Sequence, residues 1–445
     1  MTWFLRKLRV IFWFSQEFIK RHSSFFLIGF STGLLLFFFL LRIYPLLEAA
    51  SSINKKRIGM VGVYTPTTIP PAIQNLISVG LTKIGPDGEA KPALASSWEV
   101  RDEGKVYIFY LRDNIFWHDG RKFKASDVNY NLKDVKIETQ DPFTLKITLA
   151  EPFAALPVLL SRPLFKKGLI GLGPYKIASL KLNAERIEVM ELVPFLKSGQ
   201  TLKIRFYPTE KSLLIAFKLG EINAIDELLN IGQFASWKKL KVEEKILANR
   251  YLVIFLNNND EHLKERGIRQ ALAFAIPEFK EATAISSISP NSWAYNRNVK
   301  VYKQDLKGAK KLLEKASLKN GFEITLSTFP NFLNVAQDIA NNWSQIGIKT
   351  NIQVVSDVPS DFQALLTAQE VPPDPDQYLL WHSTQGQTNL THYANPKVDK
   401  LLEDGRRTLD KEKRAKIYED FQKYLVEDCP AIFLYHPKIY SISRG

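Results

Sequence analysis

Between residues 322 and 354 the apolar residues change period twice, and this change limits the folds open to the chain. Residues 322–329 alternate, with Phe322, Ile324 and Leu326 on one face, as a half-buried strand requires. Val335, Ala336, Ile339, Ala340, Trp343 and Ile346 then recur at helical spacing. Gly347 supplies a stop, and Ile348, Ile352 and Val354 mark a second strand. Strand, helix and strand with short links form a βαβ unit. It predicts an α/β protein with parallel strands joined by a right-handed crossover.

The N-terminal half has a different rhythm. Residues 58–64 predict a strand, and 65–71 hold three prolines, which makes them an ordered turn or extended loop. Residues 73–79 suit a short helix ended by Gly80. Residues 105–111 alternate strongly, and Arg101-Asp102-Glu103-Gly104 separates them from Trp98-Glu99-Val100, so a hairpin is expected. Residues 144–149 form another strand, and a short helix starts near Ser126-Asp127. Far along the chain, Ile417, Tyr418, Phe421, Tyr424 and Leu425 share one helix face; Pro430 ends that helix and 431–435 begin a final strand. A chain of 445 residues has room for two or three lobes.

Residues 23–41 carry no charge and are dominated by Phe and Leu. As a helix they extend about 28 Å, close to the ~30 Å hydrocarbon core of a bilayer. The expectation is an uncleaved transmembrane anchor over 23–47. Arg6, Lys7, Arg9, Lys20 and Arg21 precede it and Arg42 alone follows closely. The positive-inside rule therefore puts the N-terminus in the cytoplasm and the bulk of the chain outside, single-pass in the plasma membrane. Residues 1–22 read as a cytoplasmic amphipathic segment.

The net charge is +14, but basic and acidic residues interleave, as in Asp410-Lys411-Glu412-Lys413-Arg414. There is no basic stripe with aromatic interleaving, so no nucleic-acid partner is assigned. The one cysteine, Cys429, permits neither a disulfide framework nor a cysteine metal site within one chain. The six histidines show no zinc-protease spacing, and no nucleophile elbow, phosphate loop or dinucleotide fingerprint occurs. The reading is not an enzyme, with no catalytic residue, cofactor or metal assigned.

Four stretches carry a family resemblance. The first holds Gly80-Leu81-Thr82, Asp87-Gly88 and Pro92-Ala93-Leu94-Ala95-Ser96-Ser97-Trp98. The second holds Tyr107, Phe109, Leu111-Arg112-Asp113 and Trp117-His118-Asp119-Gly120, with Phe123 and Ser126-Asp127-Val128. The third is Phe255-Leu256-Asn257-Asn258, then Arg266 and Arg269-Gln270-Ala271-Leu272. The fourth runs from Asp374-Pro375-Asp376-Gln377-Tyr378 through Trp381-His382-Ser383 and Asn395-Pro396 to Cys429-Pro430-Ala431. In this order the chain resembles the extracellular solute-binding proteins of the oligopeptide/dipeptide class, the substrate-binding components of ABC transporters.

The resemblance implies a bilobed periplasmic-binding-protein-like clamp of type II with an extra strand-rich subdomain. On it, residues 55–89, 166–250 and 431–445 make the N-terminal lobe, 90–165 the small subdomain and 251–430 the C-terminal lobe. It implies capture of a peptide or other small solute between lobes, and delivery to ABC permease and ATPase subunits. The alternative is the same clamp as a tethered receptor, or as a binder of a metal chelate or sugar. A carboxylate that commonly anchors the ligand amine lies three residues before the Asp-Pro-Asp element; here that residue is Val371. Glu370, Asp374 and Asp376 are the substitutes. By the same resemblance, the ligand-binding candidates are Tyr64, Thr65 and Thr67 after the first strand, Trp293, Tyr295 and Asn296 in a later loop, and Asp374, Asp376, Tyr378 and Trp381.

Overall fold

The computed structural model describes residues 55–195 and 199–444, with scattered helical positions between 13 and 39. The βαβ unit lies in the second of two large sheets. Glu323–Thr328 and Lys349–Val354 run parallel, with Leu326 opposite Ile352. Helix Leu333–Ser344 joins them and buries Ala336, Ile339 and Trp343, three of the residues its spacing singled out. Gly347 turns the chain at φ 89°, a left-handed conformation that only a residue without Cβ adopts cheaply.

This six-stranded sheet has the order Ala282–Thr283, Ala431–His436, Arg250–Leu256, Ala364–Glu370, Glu323–Thr328, Lys349–Val354. Arg250–Leu256 is apolar beyond its first residue because both of its faces are covered. Leu252, Ile254 and Leu256 enter a core with helices Arg266–Phe274 and Leu333–Ser344. Tyr251, Val253 and Phe255 enter another with helices Pro396–Arg407 and Lys411–Asp428.

The first sheet has seven strands, in the order Leu240–Ile246, Lys438–Arg444, Ala224–Leu228, Lys55–Val61, Thr201–Tyr207, Arg186–Pro194, Tyr175–Asn183. Lys55–Val61 is parallel to both Thr201–Tyr207 and Ala224–Leu228. Helix Glu210–Leu219 connects those two, and Gly59 admits it: a Cβ there would stand 2.3 Å from the Leu213 and Ile222 side chains. A separate four-stranded sheet, Ala95–Arg101, Val106–Leu111, Thr144–Leu149, Val135–Asp141, has its own core of Tyr107, Phe109, Trp117, Phe123, Leu145 and Ile147. The expected hairpin is its first pair of strands.

The chain passes between the large sheets twice, after Ile246 and after His436. The two crossings are bonded together. Leu247 N–H donates to Pro437 O at 2.9 Å, and the His436 Nδ1–H donates to Arg250 O at 2.8 Å. The sequence reading puts 431–445 in the N-terminal lobe. Instead, Ala431–His436 pairs within the six-stranded sheet and only Lys438–Arg444 joins the seven-stranded one. The reason is local. Residues 431–436 are apolar on both faces and fill a two-sided core, and Pro437 interrupts the run. The strand read at 58–64 is Lys55–Val61, and the helix read at 73–79 is Pro71–Ile77, shifted because Pro71 starts it.

The segments 1–22 and 23–47 fall largely outside the described residues. Residues 31–39 are helical and exposed. Among the described residues, no helix is long and apolar enough to cross a membrane.

Candidate functional site at the interlobe groove

Lys55–Val61 and Ala224–Leu228 are parallel, so Tyr64 and Leu229 leave the first sheet at the same edge. Glu323–Thr328 and Ala364–Glu370 are also parallel, so Phe329 and Glu370 share an edge of the second. These carboxyl edges meet in a groove of ≈ 610 Å³, the position where open α/β sheets take ligands. Leu229, Lys438 and Tyr440 line it from the first sheet. Arg250, Thr367, Ala368, Glu370 and Tyr435 line it from the second, with Phe329 and Phe332 beside them and Pro437 at the crossing.

One wall is open backbone. Ala364–Glu370 pairs with Arg250–Leu256 along its whole length. On its other edge it pairs with Glu323–Thr328 only from Ala364 to Leu366. The neighbour stops there because Pro330–Phe332 forms a 3-10 turn. Thr367–Glu370 therefore has a partner strand on one side alone, with the groove on the other.

The groove has both charges. Arg250 Nε donates to Glu370 Oε1 at 3.1 Å, and Arg250 Nη2 bonds the same oxygen. Lys438 Nζ lies 2.8 Å from Glu244 Oε1. Burial, reinforced by the Glu281 carboxylate, pushes the Tyr435 phenol up to about 12. At the crossing, burial lowers the pKa of the His436 imidazole below the usual histidine value.

None of the ten ligand-binding candidates lines this groove. Tyr64 stands at its first-sheet edge, ring edge-on to Phe206 at 5.1 Å, with its hydroxyl donating to Val61 O at 3.2 Å. Thr65 and Thr67 share a hydrogen bond of 2.9 Å between their hydroxyls. Trp293 and Asp374 come together instead in a cavity of ≈ 330 Å³ between the small subdomain and the second lobe. Asp374 is held there by Arg414, Nη1 to Oδ2 at 2.8 Å and Nη2 to Oδ1 at 2.5 Å. The Trp293 ring faces the Arg414 guanidinium at 5.6 Å.

Asp376 and Tyr378 build a neighbouring contact. Arg406 Nε donates to Asp376 Oδ2 at 2.9 Å. Its guanidinium lies 4.2 Å from the Tyr378 ring and 5.2 Å from the Phe153 ring. Arg406 O also accepts from Ala154 N–H at 2.8 Å, so this one arginine ties the small subdomain to the second lobe. A cavity of ≈ 1130 Å³ lies alongside, lined by Tyr378, Arg406 and Phe153. Asn296 and Trp381 are internal. Asn296 Nδ2 donates to Glu419 O at 2.9 Å. The Trp381 indole is 1% exposed and donates to Gln377 Oε1 at 2.9 Å. Tyr295 is half-buried, and that burial raises its phenol pKa.

Sequence reasoning missed Arg250, Glu281, Phe329, Lys438 and Tyr440, which belong to no local motif. Glu370, named from the sequence as a substitute carboxylate, does line the groove. Val371 faces the opposite way, 7% exposed in the core, with its N–H on Asn249 O at 2.8 Å.

Residues 89–389 match the bacterial extracellular solute-binding proteins, family 5 Middle. The oligopeptide-binding protein AppA of Bacillus subtilis is 26% identical over 84% of this chain and 83% of its own. Heme-binding protein A of Haemophilus influenzae is 24% identical over 78% and 79%. Among solved structures, NikZ from Campylobacter jejuni in complex with Ni(L-His) superposes with a TM-score of 0.74 at 26% identity, over 88% of this chain and 94% of that one. AppA from Bacillus subtilis in complex with a nonapeptide gives 0.71 at 22% identity, over the same shares. With its matched segment covering strands of both large sheets and the whole four-stranded sheet, the chain belongs to family 5 of the bacterial extracellular solute-binding proteins, the oligopeptide and dipeptide class.

Proposed function

We propose that this protein captures peptides in the interlobe groove and delivers them to an ABC import permease. In this reading residues 23–41 anchor it in the plasma membrane, with the N-terminus cytoplasmic and the lobes outside. The observation that carries the reading is the open edge of Thr367–Glu370. An extended peptide laid there completes the main-chain hydrogen bonds that Glu323–Thr328 stops providing after Leu366. Such bonds form with any sequence, and aromatic walls from Phe329, Phe332, Tyr435 and Tyr440 accept varied side chains. The similarity to a Bacillus oligopeptide-binding protein supports the same class of ligand. The bonded pair of crossings supplies the hinge, so the ligand favours the state in which both walls touch it. No bond of the ligand is broken in this scheme.

A binder of the native state raises the melting temperature by mass action. Full-length protein in detergent, heated with pooled tri- to pentapeptides at millimolar concentration, is expected to melt several degrees higher. An unchanged midpoint with every pool would end the peptide reading.

A further inference from the structure

The edge of the first sheet opposite the groove carries an exposed apolar tip set among cations. Lys55–Val61, Ala224–Leu228 and Leu240–Ile246 all run the same way, so Lys55, Ala224 and Leu240 begin at this one amino edge. Helix Glu210–Leu219 brings the chain back to it and ends there. Leu219, its last residue, is 72% exposed, and Trp237, shortly before Leu240, is 38% exposed. The two belong to one patch. The Trp237 ring centre lies 6.4 Å from that of Phe217, and the indole packs edge-on to Phe234 at 5.1 Å. Arg444, paired opposite Leu240, donates from Nη2 to Lys218 O at 3.2 Å and faces the Phe217 ring at 5.0 Å.

The charge of this edge does not cancel. Its carboxylates are each matched: Glu191 by Lys55, Asp226 by Lys56, Glu221 by Arg205 and Glu243 by Lys241. Lys218, Lys238, Lys239 and Arg444 are exposed, and among the described residues no carboxylate pairs with them. Cations around an exposed leucine and tryptophan suit a surface that is anionic outside and apolar beneath. A lipid bilayer has both. Lysine and arginine take its headgroup phosphates, indole sits at headgroup level and leucine reaches the acyl boundary. A soluble polyanion would take the charges and leave the apolar tip in water.

Chain direction brings the patch to the bilayer. Lys55 opens its strand at this same edge, and residues 42–54 join it to the apolar segment 23–41. Fully extended, that link reaches at most about 45 Å. The edge therefore stays within range of the surface, and even a weak contact becomes intramolecular.

We propose that Lys218, Leu219, Trp237, Lys238, Lys239 and Arg444 dock the first lobe on the anionic surface of the membrane that holds its anchor. The inference rests on the anchor reading and adds an orientation to it. Docked, the first sheet stands on end, and the groove opens one strand length further from the lipid, about 23 Å.

The test is amide exchange of the full-length protein in bilayer nanodiscs, made of phosphatidylcholine alone or of phosphatidylcholine and phosphatidylglycerol in equal parts. In the anionic discs, exchange at 235–241 is expected to slow at least about fivefold, the scale of one lysine at a charged surface. Arg250–Leu256 should exchange equally in both. Raising the salt to about 1 M, where the Debye length is ~3 Å, should restore the faster rate. Lys218→Glu, Lys238→Glu and Lys239→Glu combined should abolish the slowing, and Leu219→Ser alone should weaken it. Melting temperatures in detergent equal to that of the wild type show that both variants are folded. Equal rates at 235–241 in the two lipids, or a triple variant that keeps the protection, overturns the docking while the anchor stands. Washing the protein at high pH in vesicles of either composition tests the anchor itself; release into the wash overturns anchor and docking together.

Discussion

Asp374 is 7% exposed and gives both carboxylate oxygens to Arg414. Two charges so placed attract strongly, yet each has given up its water. Removing one strands the other, and Asp374→Leu is expected to cost about 3–5 kcal/mol of stability, measured by urea unfolding. Arg414→Met added to it should restore a large part, since the uncompensated cation is gone. Trp381→Ala empties a fully buried site between Phe255 and Phe433 and is expected to lose about 3–5 kcal/mol. Both losses should be the same with and without peptide; a Trp381→Ala protein that melts normally but binds poorly would return the indole to the ligand. The Asp-Pro-Asp stretch was legible in the sequence as part of the family resemblance, which implied ligand contacts for Asp374 and Asp376. What each side chain faces was not, because residue type records that a position is constrained and burial decides by what. Arg250 and Glu281 lay beyond local reading for a different reason. They meet the groove only through pairing with strands far along the chain.

Helices and strands with a clear period were the most readable elements. The Glu323–Thr328, Leu333–Ser344, Lys349–Val354 unit follows its spacing closely, because most residues that repeat pack into one core; Val354, 50% exposed at the strand end, does not. The crossings were less readable. Nothing about Ala431–His436 as a string assigns it to one sheet over the other, and the choice is made by Arg250–Leu256 beside it. The crossings also respond to acid. Burial keeps the His436 imidazole neutral while its Nδ1–H bonds Arg250 O. Burial does the same for His118, bonded to Gly173 O at 2.9 Å. As pH falls through the ordinary histidine value of 6.5, the unfolded chain takes up protons that the folded chain refuses. Stability is therefore full above 6.5 and declines from there toward each lowered value. Urea midpoints should fall between pH 7.5 and 5.5, and His436→Gln should flatten part of that slope. Identical midpoints at both pH values would refute the account.

At the scale of the molecule, the two large sheets are joined at the bonded crossings, and the small subdomain is held to the second lobe by the Arg406 contact with Phe153 and Ala154 and by the Arg407–Glu151 pair, with Lys411–Glu89 beside them. Arg406→Ala removes the Asp376 bond and both ring contacts and leaves the core of each sheet intact. Amide exchange at 150–157 is expected to quicken several-fold, with little change in Arg250–Leu256; equal rates in both would mean the subdomain is held elsewhere. The two-lobed plan was legible as a change of rhythm along the sequence, whereas the docking of subdomain on lobe was not, since it depends on surfaces and not on periods. The double passage of the chain has its own consequence for synthesis. Lys438–Arg444 is an interior strand of the first sheet, and Leu240–Ile246 has no other neighbour in it. A nascent chain whose residues 438–444 have yet to emerge would thus hold a finished four-stranded subdomain beside a first sheet of five strands, with Leu240–Ile246 unattached. The first lobe to begin is the last to be completed, and protease should find 240–246 open until residues 438–444 have left the ribosome.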